Sequence, residues 1–92
     1  MNVYELEPYP ASSSRYYAAT EMKAKLMVRD TAQGHWPDCR LRLLDIPTDK
    51  ANLVRLLNGT PDQTTLRAWR VSSRGGLIEI PREKWEDEGV EP

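Results

Sequence analysis

Residues 39–59 of this 92-residue chain read CRLRLLDIPTDKANLVRLLNG, and this stretch decides the fold. Its first part alternates apolar residues with Arg40 and Arg42. Such an alternation has the period of two that is typical of a strand with one buried and one polar face. We therefore predict a strand that begins at Cys39 and carries both arginines on the same side.

A helix is predicted in the second part of the stretch. Thr48 can cap its first amides, and Asp49 places a negative charge at the positive end of the helix dipole. Asn58 and Gly59 supply a C-terminal stop. The leucines that recur at helical spacing, and that we expect to build the core, are Leu53, Leu56 and Leu57.

The composition limits the classes of function. The formal net charge of −1 and the pI of about 5.8 argue against a strongly basic nucleic-acid binder, whose pI is usually above about 9. Cys39 is the only cysteine, so no internal disulfide can form, and a reducing, cytoplasmic location is expected. No apolar run approaches the roughly 20 residues that span a bilayer, and the N-terminus is acidic where a signal peptide is basic.

Upstream of residue 39 the pattern predicts two strands and a helix. Asn2–Glu7 alternates and suits a first strand, and Arg15–Ala19 is aromatic enough for a short second strand. Thr20 can cap a helix that runs to about Gln33, where Gly34 would end it.

Downstream, Thr60–Val71 admits two interpretations. In the first, Thr65–Val71 and Leu77–Ile80 are the strands of a hairpin, joined by a turn at residues 72–76. In the second, a capping box with proline at the first helical position starts a short helix that runs through Trp69. The choice matters because the helix would be a candidate DNA-recognition element.

The predicted fold is a single small α+β domain over residues 1–82. Its elements follow the order β-β-α-β-α and are completed by a C-terminal β-hairpin, with an antiparallel sheet and the helices on one face. Residues 83–92 carry five acids against one lysine and are expected to form an acidic, frayed tail.

Catalytic chemistry finds little support in the sequence. His35 and Cys39 are four residues apart, but one histidine and one cysteine cannot close a zinc site. Gly75 and Gly76 are not followed by the lysine and hydroxyl residue of a phosphate loop, so we expect them to supply positive φ in a turn. We predict no enzymatic activity, no cofactor and no metal.

Two groups of basic residues are candidates for binding. A tryptophan between two arginines, with a further arginine in the turn, combines stacking with positive charge, as nucleic-acid sites and protein hot spots do. The strand arginines could bind phosphates or carboxylates if their face is exposed. The alternative is a tryptophan in the core with solvated arginines around it. The candidate residues are Arg67, Trp69, Arg70 and Arg74, with Arg40 and Arg42 as a second patch.

A first resemblance covers residues 3–59. The order YYAATEMKAK, then a strand, then DIPTDKANLVRLLNG resembles small accessory proteins encoded by bacteriophages, which include anti-CRISPR inhibitors. The resemblance implies a non-enzymatic protein that inhibits or retunes a host protein or nucleoprotein complex by steric occupation, in the cytoplasm of a bacterial host.

A second resemblance lies downstream. LVRLLNGTPDQTTLRAW followed by LIEIPREKWED is similar to the winged helix-turn-helix of excisionase-type regulators. It implies a DNA-binding regulator that uses Thr60–Val71 as its recognition helix. Direct contact with nucleic acid and pairing of sheet edges into a homodimer stay open as alternatives.

Overall fold

The protein is a mixed α+β domain built on one antiparallel sheet of five strands in the order β2-β1-β3-β4-β5. The computed structural model describes residues 1–7, 15–31, 39–59 and 61–92. The predicted fold class is confirmed. None of the helices in this part of the chain is long and apolar enough to cross a membrane. The elements are β1 (Asn2–Glu7), β2 (Tyr16–Ala18), α1 (Glu21–Thr31), β3 (Arg40–Asp45), α2 (Lys50–Leu57), β4 (Thr64–Val71), β5 (Leu77–Glu79) and a short 3-10 helix (Arg82–Lys84).

Strand β4 decides between the two interpretations of Thr60–Val71. It pairs with β3 on one side, where Trp69 lies opposite Leu41, and with β5 on the other, where Arg70 lies opposite Ile78. The hairpin is therefore correct and the predicted recognition helix is wrong. Pairing on both sides satisfies more backbone groups than one short helical turn would, and it outweighs the local capping signal. In the connecting turn the prediction of positive φ is confirmed for Gly75, at +83°, and is wrong for Gly76.

One face of the sheet forms the main core beneath α1. The N-terminal cap of α1 is the predicted Thr20, whose hydroxyl accepts from the amide of Lys23 at 3.2 Å. The predicted C-terminal stop at Gly34 lies outside the described residues. The buried residues of this core are Leu6, Ala24, Val28, Cys39, Leu41, Trp69 and Val71.

The other face is covered by the C-terminal segment, residues 82–92. Trp85 and Val90 are buried against Ala68 and Ile80, and the Trp85 indole donates to the Ile80 carbonyl at 3.0 Å. The sequence predicts a frayed tail here because the acids dominate its composition. In the structure two apolar side chains anchor the segment, and the Glu88 carboxylate between them pairs with Arg40 of β3.

Helix α2 departs most from expectation. Its N-cap is Asp49, whose carboxylate accepts from the Asn52 amide at 2.9 Å, in place of the predicted Thr48. The predicted stop is confirmed, since Gly59 has φ +80° and donates to the Leu56 carbonyl. The prediction that its leucines build the core is wrong: Asn52 is the buried residue of the helix.

Asn52 explains why α2 turns its leucines outward. Its side-chain amide donates to the carbonyls of Pro47 at 2.6 Å and Asp62 at 3.2 Å, and its oxygen accepts from the Asp62 amide at 2.6 Å. This one side chain joins the segments before and after the helix. Because the buried Asn52 side chain would lose three hydrogen bonds if the helix rotated, the polar face points inward.

Candidate functional site

A groove between α1 and the β4–β5 hairpin is the candidate site. It has a volume of about 510 Å³, with Trp69 at its floor. Helix α1 forms one wall, and the hairpin turn with the start of β5 forms the other. The side chains and glycines that line this groove are Glu21, Lys25, Leu26, Arg29, Trp69, Arg74, Gly75, Gly76 and Leu77.

Trp69 belongs to the core as well as to the groove. It is only 7% exposed, the Arg67 guanidinium lies 4.8 Å from its ring centroid, and the Tyr4 ring is 6.0 Å away in a tilted arrangement. A base that stacks on a tryptophan needs an open ring face. Trp69 offers little of one, so the groove has an apolar floor but no stacking platform.

Arg67 lies over the Trp69 ring beside the groove, and its charge is largely compensated. Its guanidinium forms two hydrogen bonds with the Glu79 carboxylate across the β4–β5 pair. These bonds lower the pKa of Glu79 and raise that of Arg67. The Glu79 carboxylate therefore stays ionised to lower pH than an isolated glutamate and keeps Arg67 paired.

The remaining cations of the groove are more accessible. Lys25 and Arg29 are exposed, and their ion pairs with Glu21 at 3.4 Å and Asp30 at 3.3 Å are surface pairs of the kind that contributes little energy. Within the part of the chain that the structure describes, Arg74 forms no ion pair. Three cationic side chains thus line the groove against one acid, Glu21.

Arg70 lies apart from the other three residues of the predicted cluster. Successive residues of a strand point to opposite faces, so Arg70 faces away from Trp69. It borders a shallow cavity on the second face with Ile78 and Lys84. The structure brings Trp69 and Arg74 together, with Arg67 beside them, and separates Arg70 from them.

Arg42 of the second predicted patch is buried. Its guanidinium pairs with the buried Glu5 carboxylate and also donates to the Thr65 hydroxyl at 3.3 Å and the Glu91 carbonyl at 3.4 Å. The prediction of a phosphate-binding face required exposure, and that condition is not met. The C-terminal segment covers this part of β3.

Arg40 also faces the C-terminal segment. It is paired with Glu88 at 2.9 Å and donates to the Cys39 carbonyl at 2.8 Å. Arg40 and Arg42 therefore act together as anchors for the last turn of the chain, in the positions where the sequence suggested a binding patch.

The sequence reasoning missed Lys25 and Arg29. They are four residues apart on α1 and so share one face of the helix, and this spacing can be read from the sequence. What the sequence did not show is that this face borders Trp69 and the turn at Arg74. That proximity results from tertiary packing.

Comparisons with known proteins do not place the chain in a family. It matches no protein-family model, and no significant match is found among curated proteins or solved structures. Within the described ranges no group of three or more histidine, cysteine or acidic side chains is arranged to hold a metal ion.

Proposed function

We propose that this protein is a non-enzymatic binding protein that acts by occupying the surface of a partner, with the groove between α1 and the β4–β5 hairpin as the contact site. The observation that carries the proposal is the meeting of Lys25, Arg29 and Arg74 around the apolar floor at Trp69. These residues come from two separate elements and converge on one concave surface.

The chemistry of the groove favours an acidic protein segment with an apolar anchor. Leu26 and Leu77 line the groove beside Trp69, and the cations lie around them. An apolar centre within a charged rim is the usual anatomy of a protein interface. Complementary charge at the rim raises the association rate and selects the partner.

The resemblance to bacteriophage accessory proteins supplies a finer form of the proposal. In that form the partner is a host protein or nucleoprotein complex in the bacterial cytoplasm, and the protein is an anti-defence inhibitor of the anti-CRISPR type. Only the sequence pattern of residues 3–59 supports this form. The excisionase-type alternative loses its recognition helix, because Thr64–Val71 is a strand.

A pull-down from bacterial lysate tests the proposal, with the bait at equal concentration in every arm and with nuclease added to half the samples. The test variant is Lys25→Gln/Arg74→Ala. Its control is Lys23→Gln/Arg70→Ala, which removes the same charge from the far side of α1 and the opposite face of the sheet. Trp69 is left unchanged, because truncating a buried tryptophan costs about 3–5 kcal/mol and would test the fold instead.

We expect a protein partner that is captured with and without nuclease, retained by the control and weakened at least tenfold by the test variant. Capture that disappears with nuclease would replace the protein partner with nucleic acid. Equal capture by both variants would show that the groove is not the contact site.

A further inference from the structure

Helix α2 presents an apolar surface to solvent. Four of its eight residues are large, apolar and at least two-fifths exposed. Their exposed fractions add up to about two fully exposed side chains. We call these residues the α2 face: Leu53 at 43%, Val54 at 50%, Leu56 at 41% and Leu57 at 87% exposed.

The apolar surface continues beyond the helix. Leu56 forms one wall of a cleft of about 270 Å³ between α2 and the N-terminal part of β1. Leu57, the most exposed residue of the α2 face, is the next residue along the helix. The other residues that line the cleft are Met1, Val3, Tyr17, Ile46, Pro61 and Gln63.

The length of α2 makes this exposure unusual. Isolated helices shorter than about 12–15 residues are marginal in water, and most of the stability of a protein helix comes from packing of its apolar face. α2 has eight residues and buries the polar Asn52. On its apolar side the described residues leave every side chain of the α2 face at least two-fifths exposed, so much of the packing that normally stabilises such a helix is absent there.

The charges around the α2 face cancel. The N-terminal amine pairs with Asp45 at 3.4 Å, Arg55 pairs with Asp62, and Asp49 precedes Lys50 at the start of the helix. A surface that meets its own copy about a two-fold axis places like charges near each other. A rim with three positive and three negative groups is compatible with self-association, whereas a rim of one sign would oppose it.

The extent of the surface fits a small dimer. A standard interface buries about 800 Å² on each partner and draws on roughly 20–30 residues a side. The α2 face, its cleft and its rim together comprise fifteen residues, fewer than a standard interface uses, which fits a small and weakly associating dimer.

We infer that a second copy of this chain covers the α2 face, in a two-fold dimer where Leu57 of each copy packs against the cleft of the other. The interface uses none of the residues that line the groove proposed for partner binding. The outcome of the test for the dimer is therefore independent of the outcome for the proposed function.

Sedimentation equilibrium on the full chain from about 1 to 500 µM tests the dimer. The wild type is expected to approach twice the monomer mass of 10.6 kDa, with a midpoint in the micromolar range. Leu57→Lys is expected to raise the dissociation constant at least tenfold. Met22→Lys adds the same charge at an exposed apolar site of α1 and should change it less than twofold.

Concentration-dependent amide NMR shifts locate the contact. We expect shifts within residues 46–59 and 61–63 and near Met1, with none in β5. A wild type that stays monomeric over the whole range would overturn the inference, as would a Leu57→Lys variant that dimerises like the wild type. Growth into larger species without saturation would exclude the two-fold arrangement. Circular dichroism of both variants confirms that each one folds.

Discussion

Replacing Arg42 with methionine would leave the buried Glu5 carboxylate without its closest cationic partner. The half-exposed Arg15, with its Nε 4.0 Å from Glu5 Oε1, would be the cation that remains near it. Both side chains are almost fully buried, on β1 and β3, where Glu5 lies opposite Arg42 in the register. Methionine keeps the unbranched shape of the arginine stem, so the change removes the charge and its hydrogen bonds with little loss of packing.

The expected loss of unfolding free energy is a large part of the total unfolding free energy of the protein. Breaking a buried ion pair by removing one partner costs about 3–5 kcal/mol. A chain of 92 residues has a total unfolding free energy of roughly 5–14 kcal/mol. With a urea m-value of about 1.5 kcal/mol/M, the unfolding midpoint should fall by about 2–3 M.

Urea unfolding followed by tryptophan fluorescence measures this loss, and a double variant sharpens it. Glu5→Leu/Arg42→Met removes both charges, and we expect it to recover most of the lost stability, because no uncompensated charge is left inside. In the double variant Thr65 keeps its hydrogen bond to the Glu91 carbonyl, which is 2.7 Å in the native protein.

Two results would refute the reasoning. A cost below about 1 kcal/mol for Arg42→Met is the value of a solvated pair and would mean that the C-terminal segment does not cover this site. A double variant no more stable than the single one would mean that charge burial is not the cause of the loss.

Two further predictions concern single side chains. Asn52→Ala should lower the unfolding free energy by about 2–3 kcal/mol in urea titrations, because it leaves backbone groups of Pro47 and Asp62 without partners. A loss under about 0.5 kcal/mol would show that Asn52 does not hold α2 in place. Burial raises the pKa of Tyr17, and so does the adjacent Glu5 carboxylate, which accepts from the Tyr17 hydroxyl at 3.0 Å. The protonated tyrosine therefore stabilises the folded state at pH values below the unfolded pKa near 10. This stabilisation is lost as the pH rises through the pKa of the folded state. Absorbance titration at 295 nm should show a late ionisation that Tyr17→Phe removes; identical late phases in both proteins would contradict the assignment.

The order of elements could be predicted from local patterns. Alternation placed β1 and β3, and Thr20 and Gly59 marked helix boundaries that the structure confirms. These signals lie within a few residues of the element they define. They are the part of the fold that the sequence determines locally.

What covers each face could not be predicted in the same way. The leucines of α2 show that the helix has an apolar side, but their period does not show whether the rest of the chain packs on it. The orientation depends on Asn52 meeting Asp62, ten residues away. In the C-terminal segment, the five acids favoured the prediction of a frayed tail, although two apolar residues, Trp85 and Val90, anchor the segment.

Only part of the candidate site could be predicted, because local sequence signals do not show which elements pack together. Trp69 and Arg74 are close in sequence, and the strand alternation that separates Arg70 from them follows once β4 is known to be a strand. Lys25 and Arg29 lie some 40 residues earlier. They join the site only because α1 packs over the sheet.

The register of the sheet also orders the steps of folding. In the β4–β5 hairpin, Trp69 pairs with Glu79, ten residues away, whereas β1 pairs with β3 between Asn2 and Asp45, 43 residues apart. Closing the longer loop costs more chain entropy, so we expect the hairpin to form early and β1 to dock late. Until β1 docks, the arginine at position 42 remains hydrated, and its ion pair is completed among the last contacts of the native state.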